Sequence, residues 1–274
     1  MAPWLEVHRG QAPLIVAFPH TGTEIPRELE ARLVSPWLAR KDADWWVHLL
    51  YDFAPSMGAT TVRTTISRTV IDVNRDPSGQ SLYPGQATSE LCPMTTFDGE
   101  VLYRPDLSPD HSEIRARRIS YFDPYHAALA REVERLRLRH GAVVVYDAHS
   151  IRSWIPRLFA GQLPQFNIGT HDGGSCNAAL SDAVVTACSN CAASHVLNGR
   201  FKGGWTTRHY GDPGEGVHAI QMELACRSYM REPPDAPGEH NWPPPYDPGH
   251  ASPTRDVLKQ VLDACLSFIA ARQW

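Results

Sequence analysis

Two short apolar runs, each closing on a histidine, constrain this chain more than any other feature. The first is Pro13-Leu14-Ile15-Val16-Ala17-Phe18, followed by Pro19-His20-Thr21-Gly22. The second is Ala142-Val143-Val144-Val145-Tyr146, followed by Asp147-Ala148-His149-Ser150. An uninterrupted apolar run of this length reads as a strand covered on both faces, as in a parallel sheet. Each histidine is therefore expected at the carboxyl end of its strand, the edge where open α/β sheets bind ligands. Two imidazoles there, with carboxylates close by, point to a metal.

The rest of the chain supports an α/β reading. Apolar runs at 59–66, 69–73 and 217–225 predict further strands, and segments near 43–54, 112–139, 176–193 and 254–271 predict helices. Trp46, Leu49, Leu50 and Phe53 fall at helical spacing, with Gly58 as a stop. Pro124 implies a break or fresh start within the second of these helical stretches, the highly charged 112–139. The regions 74–111 and 150–175 lack periodicity and follow directly on the most chemical residues, as functional loops do. The Pro-rich stretch 233–248 reads as an extended surface connection to the last helix. No internal repeat or boundary divides the core, so the expectation is a single domain over 1–274, a mixed, mostly parallel sheet flanked by helices.

Composition narrows the function classes. The 26 basic and 30 acidic residues give a net charge of −4, which argues against a nucleic-acid surface and favours a small-molecule substrate. No apolar run approaches the roughly 20 residues that span a bilayer, and the amino terminus lacks a signal peptide's pattern, so no membrane contact and a cytoplasmic location are expected. The oligomeric state is left open. The six cysteines read as reduced thiols, and Cys188 with Cys191 as small apolar residues on a helix over 177–193 rather than as a metal pair.

A catalytic zinc site takes three protein ligands from His, Asp and Glu and keeps one position open. His20 and His149 are the first two, with Asp147 and Ser150 as possible partners behind them. The third is Asp44, which opens the first helix above the same edge, or Glu24, four residues after His20. The run Arg68 to Pro77 reads as a strand ending in Asn74-Arg75, which suits a substrate carboxylate. In Gly216 to Ala225, strand alternation places Val217, Ala219, Gln221 and Glu223 on one face. Glu223 is then an acid among apolar residues, and burial would raise its pKa towards that of a general base or acid. Arg208 and His209, in a glycine-bounded loop, are candidates for a carboxylate or an oxyanion.

Taken together these segments resemble the N-formylglutamate amidohydrolase family of histidine degradation. The likeness runs through Pro19 to Gly22, Asp42 to Trp45, Leu50 to Phe53, Ser67 to Pro77, Pro124 to His126, Asp147 to Ser153, Phe166 to Thr170, and Thr207 to Gly211 leading to Glu223. The resemblance implies a fold like that of zinc carboxypeptidases and aspartoacylase-type hydrolases. Those relatives use a His-x-x-Glu pair, whereas Thr23 stands third after His20 and Glu24 fourth, so the carboxylate ligand stays open between Asp44 and Glu24. It also implies one divalent metal ion, with zinc expected, hydrolysis of N-formyl-L-glutamate to formate and L-glutamate, Glu223 as the water's base, and Asn74, Arg75, Arg152, Arg208 and His209 around a substrate with two carboxylates. The alternatives are another N-acylated acidic amino acid or short peptide, or a homologue that binds without turnover.

Overall fold

One seven-stranded sheet carries the core of the computed structural model, which describes residues 2–81, 85 and 88–271. Its strands are β1 (Leu5–His8), β2 (Leu14–Phe18), β3 (Thr60–Thr64), β4 (Val143–Ile151), β5 (Phe166–Gly169), β6 (His195–Leu197) and β7 (Val217–Ala225). They lie in the order β1-β3-β2-β4-β7-β5-β6. The central run β3-β2-β4-β7 is parallel throughout, while β1 and β5 join it antiparallel. From β2 the chain crosses to β3 on one side, and later places β4 on the other. This reversal puts a topological switch point between β2 and β4, at whose ends His20 and His149 stand.

Among the described residues there are seven α-helices: α1 (Arg27–Glu30), α2 (Val47–Leu50), α3 (His111–Arg117), α4 (Asp123–His140), α5 (Ala178–Ser189), α6 (Trp205–Tyr210) and α7 (Pro248–Ala270). Strand alternation sorts the apolar side chains between two layers. Leu14, Val16, Val144, Tyr146, Ile220 and Met222 face α5 and α7, meeting Leu180, Val184, Leu258 and Leu262. Ile15, Val62, Val143, Val145, Val217 and Ala219 face α4, meeting Leu129, Val133 and Leu136. No helix among the described residues is long and apolar enough to cross a membrane.

Several sequence expectations need correction. Residues 69–73 are a turn, not a strand: Val70 N–H donates to the Ser67 carbonyl at 2.9 Å, and the free edge of β3 is already occupied by β1. Asn74 and Arg75 therefore sit on a loop. Of the helix expected at 43–54 only α2 forms, followed by a tighter turn over Ala54–Met57 that Gly58 closes. The stretch 112–139 is broken, as Pro124 implies, by a wide turn over Arg118–Phe122 just before α4. α5 ends at Ser189, short of Cys191. α7 begins at Pro248, where the Asp247 carboxylate accepts from the N–H groups of Gly249 and His250, so the Pro-rich stretch caps the helix instead of stopping before it. β1, β5 and β6 were not expected. Residues 82–84 and 86–87 of the aperiodic region, and 272–274, lie outside the described residues.

The loop after β2 is pressed against the end of β3. Glu24 N–H donates to the Thr65 carbonyl at 2.8 Å, and Ser67 N–H to the Glu24 carbonyl at 2.9 Å. A β-carbon on Gly22 would lie 2.3 Å from the Ile66 carbonyl oxygen. Gly22→Ala must therefore push the loop off β3 and displace His20, at a cost of about 1–3 kcal/mol. The expected result is a lowered midpoint in denaturant unfolding, and an unchanged midpoint would show that the loop yields freely.

Candidate functional site

The face of the sheet beneath α4 changes character along its length. In β4, Val143 and Val145 are covered by α4, and the next residues on that face are Asp147 and His149. In β7 the same face runs Val217, Ala219, Gln221 and Glu223. The parallel register sets Asp147 beside Gln221 and His149 beside Glu223. Four polar side chains thus form a patch at the carboxyl end of a buried sheet face. All of them are buried, Glu223 being 8% exposed.

Three ligand-type side chains converge on this patch. Candidate ligand atoms of His20, Asp44 and His149 all lie within 4.8 Å of one another. Asp44 reaches the group because its N–H donates to the His20 carbonyl at 2.9 Å, which draws the start of the α2 region over the end of β2. Its Oδ2 lies 3.0 Å from His149 Nδ1 and 3.8 Å from His20 Nδ1. The far nitrogen of each ring faces another carboxylate, His20 Nε2 at 2.6 Å from Asp72 and His149 Nε2 at 3.0 Å from Asp147. An imidazole held by a carboxylate on one nitrogen and offering the other is the arrangement that orients metal ligands. Asp44 Oδ1 is buried and has no hydrogen-bond partner among the described residues. A donor set of two imidazoles and a carboxylate, with one orphaned buried oxygen, fits a divalent metal.

Electrostatics distinguish the members. Burial and the Arg68 charge lower the His20 pKa to about 4, against the pull of Asp72 and Asp44. Burial also lowers that of His149, but Asp147 and Asp44 outweigh it and hold the value well above normal. Burial would raise the Asp72 carboxyl, yet Arg75, His20 and Arg68 keep it well below the usual range. Glu223 goes the other way. Burial raises it to about 8, opposed by His149 and reinforced by Asp44.

Two side-chain amides are locked by the chain entering α6. Gly204 N–H donates to Gln221 Oε1 at 2.6 Å, so Gln221 Nε2 donates to Glu223 Oε2 at 3.1 Å. Thr206 N–H donates to Asn74 Oδ1 at 2.7 Å, which turns Asn74 Nδ2 towards Asp147 Oδ2 at 3.0 Å and His149 Nε2 at 2.9 Å. A β-carbon on Gly204 would lie 2.4 Å from Asn74 Nδ2, so this approach needs glycine.

A cleft open to solvent lies over the group, and His20, Asn74, Arg75, His149 and Glu223 line it. Three expected substrate residues do not line it. Arg152 pairs with Asp42 at 3.1 Å and Asp98 at 2.8 Å. Arg208 Nε donates to the Gly203 carbonyl, and the His209 ring stacks on Trp205 at 4.0 Å. Glu24 is exposed and is not part of the His-Asp-His group. Ser150 is among the lining residues, but its hydroxyl is engaged by the Tyr229 hydroxyl at 2.7 Å. The cleft adds residues that sequence reasoning missed: Arg68, which pairs with Asp72 at 2.7 Å and lies under the Phe97 ring, and Arg157, Arg200 and Phe201 from aperiodic segments. Asp72 was visible as a charge inside an apolar run, a signal of a buried partner.

Fold and site together define a class: an α/β protein with a metal-competent His-Asp-His group, a buried acid and an arginine-lined cleft at the carboxyl edge of its sheet. Residues 12–230 match the N-formylglutamate amidohydrolase family, and the chain belongs to it. It is 44% identical over 269 residues to an N-formylglutamate deformylase of Pseudomonas putida, covering 98% of this chain and 97% of that one. An N-formylglutamate deformylase of Pseudomonas aeruginosa is 42% identical, with 96% of each chain covered. The crystal structure of an N-formylglutamate amidohydrolase from Ralstonia eutropha JMP134 shares the fold with a TM-score of 0.78, at 24% identity over 97% of this chain and 98% of that one. The Agrobacterium tumefaciens gene product Atu2144 shares it with a TM-score of 0.71, at 17% identity over 97% and 96%.

Behind the cleft His126, in the first turn of α4, ties the site loop to the helices. Its Nε2–H donates to the Val73 carbonyl at 2.7 Å, and its Nδ1 lies 3.1 Å from the Tyr210 hydroxyl. Burial lowers its pKa to about 3, so the folded protein holds it neutral while the unfolded chain takes up a proton near pH ~6.5. The stabilisation is complete above that value and is lost as pH falls towards about 3, at up to about 1.4 kcal/mol per pH unit. His126→Gln should lower stability at neutral pH and flatten this acid slope in urea unfolding. A variant with the wild-type slope would assign the slope to other groups.

Proposed function

We propose that the protein hydrolyses N-formyl-L-glutamate to formate and L-glutamate, with a divalent metal, zinc by preference, held by His20, Asp44 and His149. The observation that carries this reading is the placement of Glu223 beside His149 in the sheet register, next to the His-Asp-His group and inside an arginine-lined cleft. The likeness to deformylases over nearly the whole chain supports the substrate. Such a reaction would place the protein in histidine degradation, as the family resemblance implies.

A metal bound there supplies Lewis acidity and lowers the pKa of water. The remaining work falls to the chain. Asp72 and Asp147 hold the two imidazoles by their Nε2 atoms, leaving both Nδ1 atoms directed at Asp44. Glu223 takes a proton from the attacking water and delivers it to the glutamate nitrogen as the carbon–nitrogen bond breaks. A carboxyl group with a pKa near neutrality can both accept and release that proton at working pH. Arg68 and Arg75 bring positive charge to the cleft for a substrate carboxylate or a developing oxyanion.

Two measurements test the proposal. Glu223→Gln keeps the side chain's size and removes its proton chemistry, so formate release should fall by about 10²–10⁴ while metal content by elemental analysis is unchanged. Full activity in this variant would remove Glu223 from the mechanism. Dialysis against a chelator should abolish formate release and zinc should restore it, whereas Asp44→Ala should retain neither metal nor activity. Turnover in metal-free protein would exclude the metal role.

A further inference from the structure

Among the described residues, four guanidinium groups line the cleft, those of Arg68, Arg75, Arg157 and Arg200, against the single carboxyl group of Glu223. They differ in how far the protein already neutralises them. Arg68 is buried and paired with Asp72. Arg75 is 21% exposed, lies 3.5 Å from Asp72, and is held by the Ser89 carbonyl and hydroxyl, each at 3.1 Å. Arg157 is exposed, and no carboxylate among the described residues pairs with it. Among those residues its Nη1 reaches only the Phe97 carbonyl, at a long 3.5 Å.

Arg157 is nonetheless held in position. Its Cδ and Nε lie 3.5 Å from where a β-carbon on Gly99 would project, so the stem rests on that turn. Its own loop is pinned by hydrogen bonds from Leu158 and Phe159 to the Ile155 carbonyl, at 2.9 and 3.1 Å. Ile155 and Leu163 are buried in an apolar cluster with Ile151 and Ala225. Arg200 Nε donates to the Leu158 carbonyl at 2.8 Å, which places a second guanidinium on the same wall. Such a wall presents positive charge without the entropic cost of ordering a mobile loop.

An N-formyl acidic amino acid carries two carboxylates at different depths. The α-carboxylate shares a carbon with the amide nitrogen, so a formyl group presented to His149 and Glu223 brings it among the deep residues of the cleft. The side-chain carboxylate of glutamate lies two methylenes further out. We propose that Arg157, with Arg200 beside it, binds that side-chain carboxylate and makes the cleft selective for acidic over neutral N-formyl amino acids. The inference rests on the reaction proposed above.

The test compares kcat/KM for N-formylglutamate and its neutral isostere N-formylglutamine. Wild-type protein should prefer the acid, and Arg157→Ala should cut that preference by about tenfold or more, chiefly through KM. Arg157→Lys, which keeps the charge but loses the fork, should retain an intermediate preference. Unaltered thermal unfolding would show that the exposed site tolerates both changes. An Arg157→Ala protein that discriminates like wild type would overturn the inference while leaving the reaction intact. Wild-type protein that releases no formate from either compound would overturn the reaction, and the inference with it.

Discussion

The rest of the site depends on one constraint: ionisable groups placed on a buried sheet face must each find a partner. An ion taken out of water without compensation costs several kcal/mol, and here Asp147, His149 and Glu223 project from the two central strands β4 and β7. Register meets part of the demand, because parallel pairing sets Asp147 of β4 beside Gln221 of β7 and His149 beside Glu223. Neighbouring loops meet the remainder. Asp44, Asp72 and Asn74 all come from segments that follow β2 or β3 at the same edge, and each is drawn in by a backbone hydrogen bond as well as by its side chain.

The partners form two parallel relays that meet at Asp44. One runs from Arg68 through Asp72 to His20, the other from Asn74 through Asp147 to His149. Each imidazole is thereby oriented by groups that take no place in the cluster of three. Asp44 differs, since it faces both rings with Oδ2 while Oδ1 accepts no hydrogen bond among the described residues and has only the Arg68 guanidinium near it, at 4.0 Å. A buried polar network is strong when every member is satisfied and costly when one is not, which makes this oxygen the point where the network is open to a cation.

Much of this was legible in the chain. The apolar runs before His20 and His149 located the two strands that bracket the switch point, and alternation in 217–225 placed Gln221 and Glu223 on one face. What sequence reading lost is equally physical. Val70, Ile71 and Val73 are buried, so 69–73 has the composition of a strand, but its polar Asp72 is held by groups on both sides and the sheet edge it would join is filled by β1. β6 is a three-residue edge strand with too little pattern to read. Arg157 and Arg200 reach the cleft from aperiodic segments where no periodicity marks the direction of a side chain, and Arg152 is drawn off by Asp42 and Asp98, which lie far away along the chain.

The locked amides carry a consequence for where a proton can reside. Gln221 is fixed with its NH₂ towards Glu223, so Glu223 Oε2 is committed to accepting. The carbonyl oxygen of a carboxylic acid is a better acceptor than its hydroxyl, so this contact favours a protonated Glu223 with its hydrogen on Oε1. The backbone N–H of Gly204, by fixing the Gln221 amide, thus biases which oxygen of the acid carries the proton, and the entry to a six-residue helix bears on proton transfer without supplying a side chain to it.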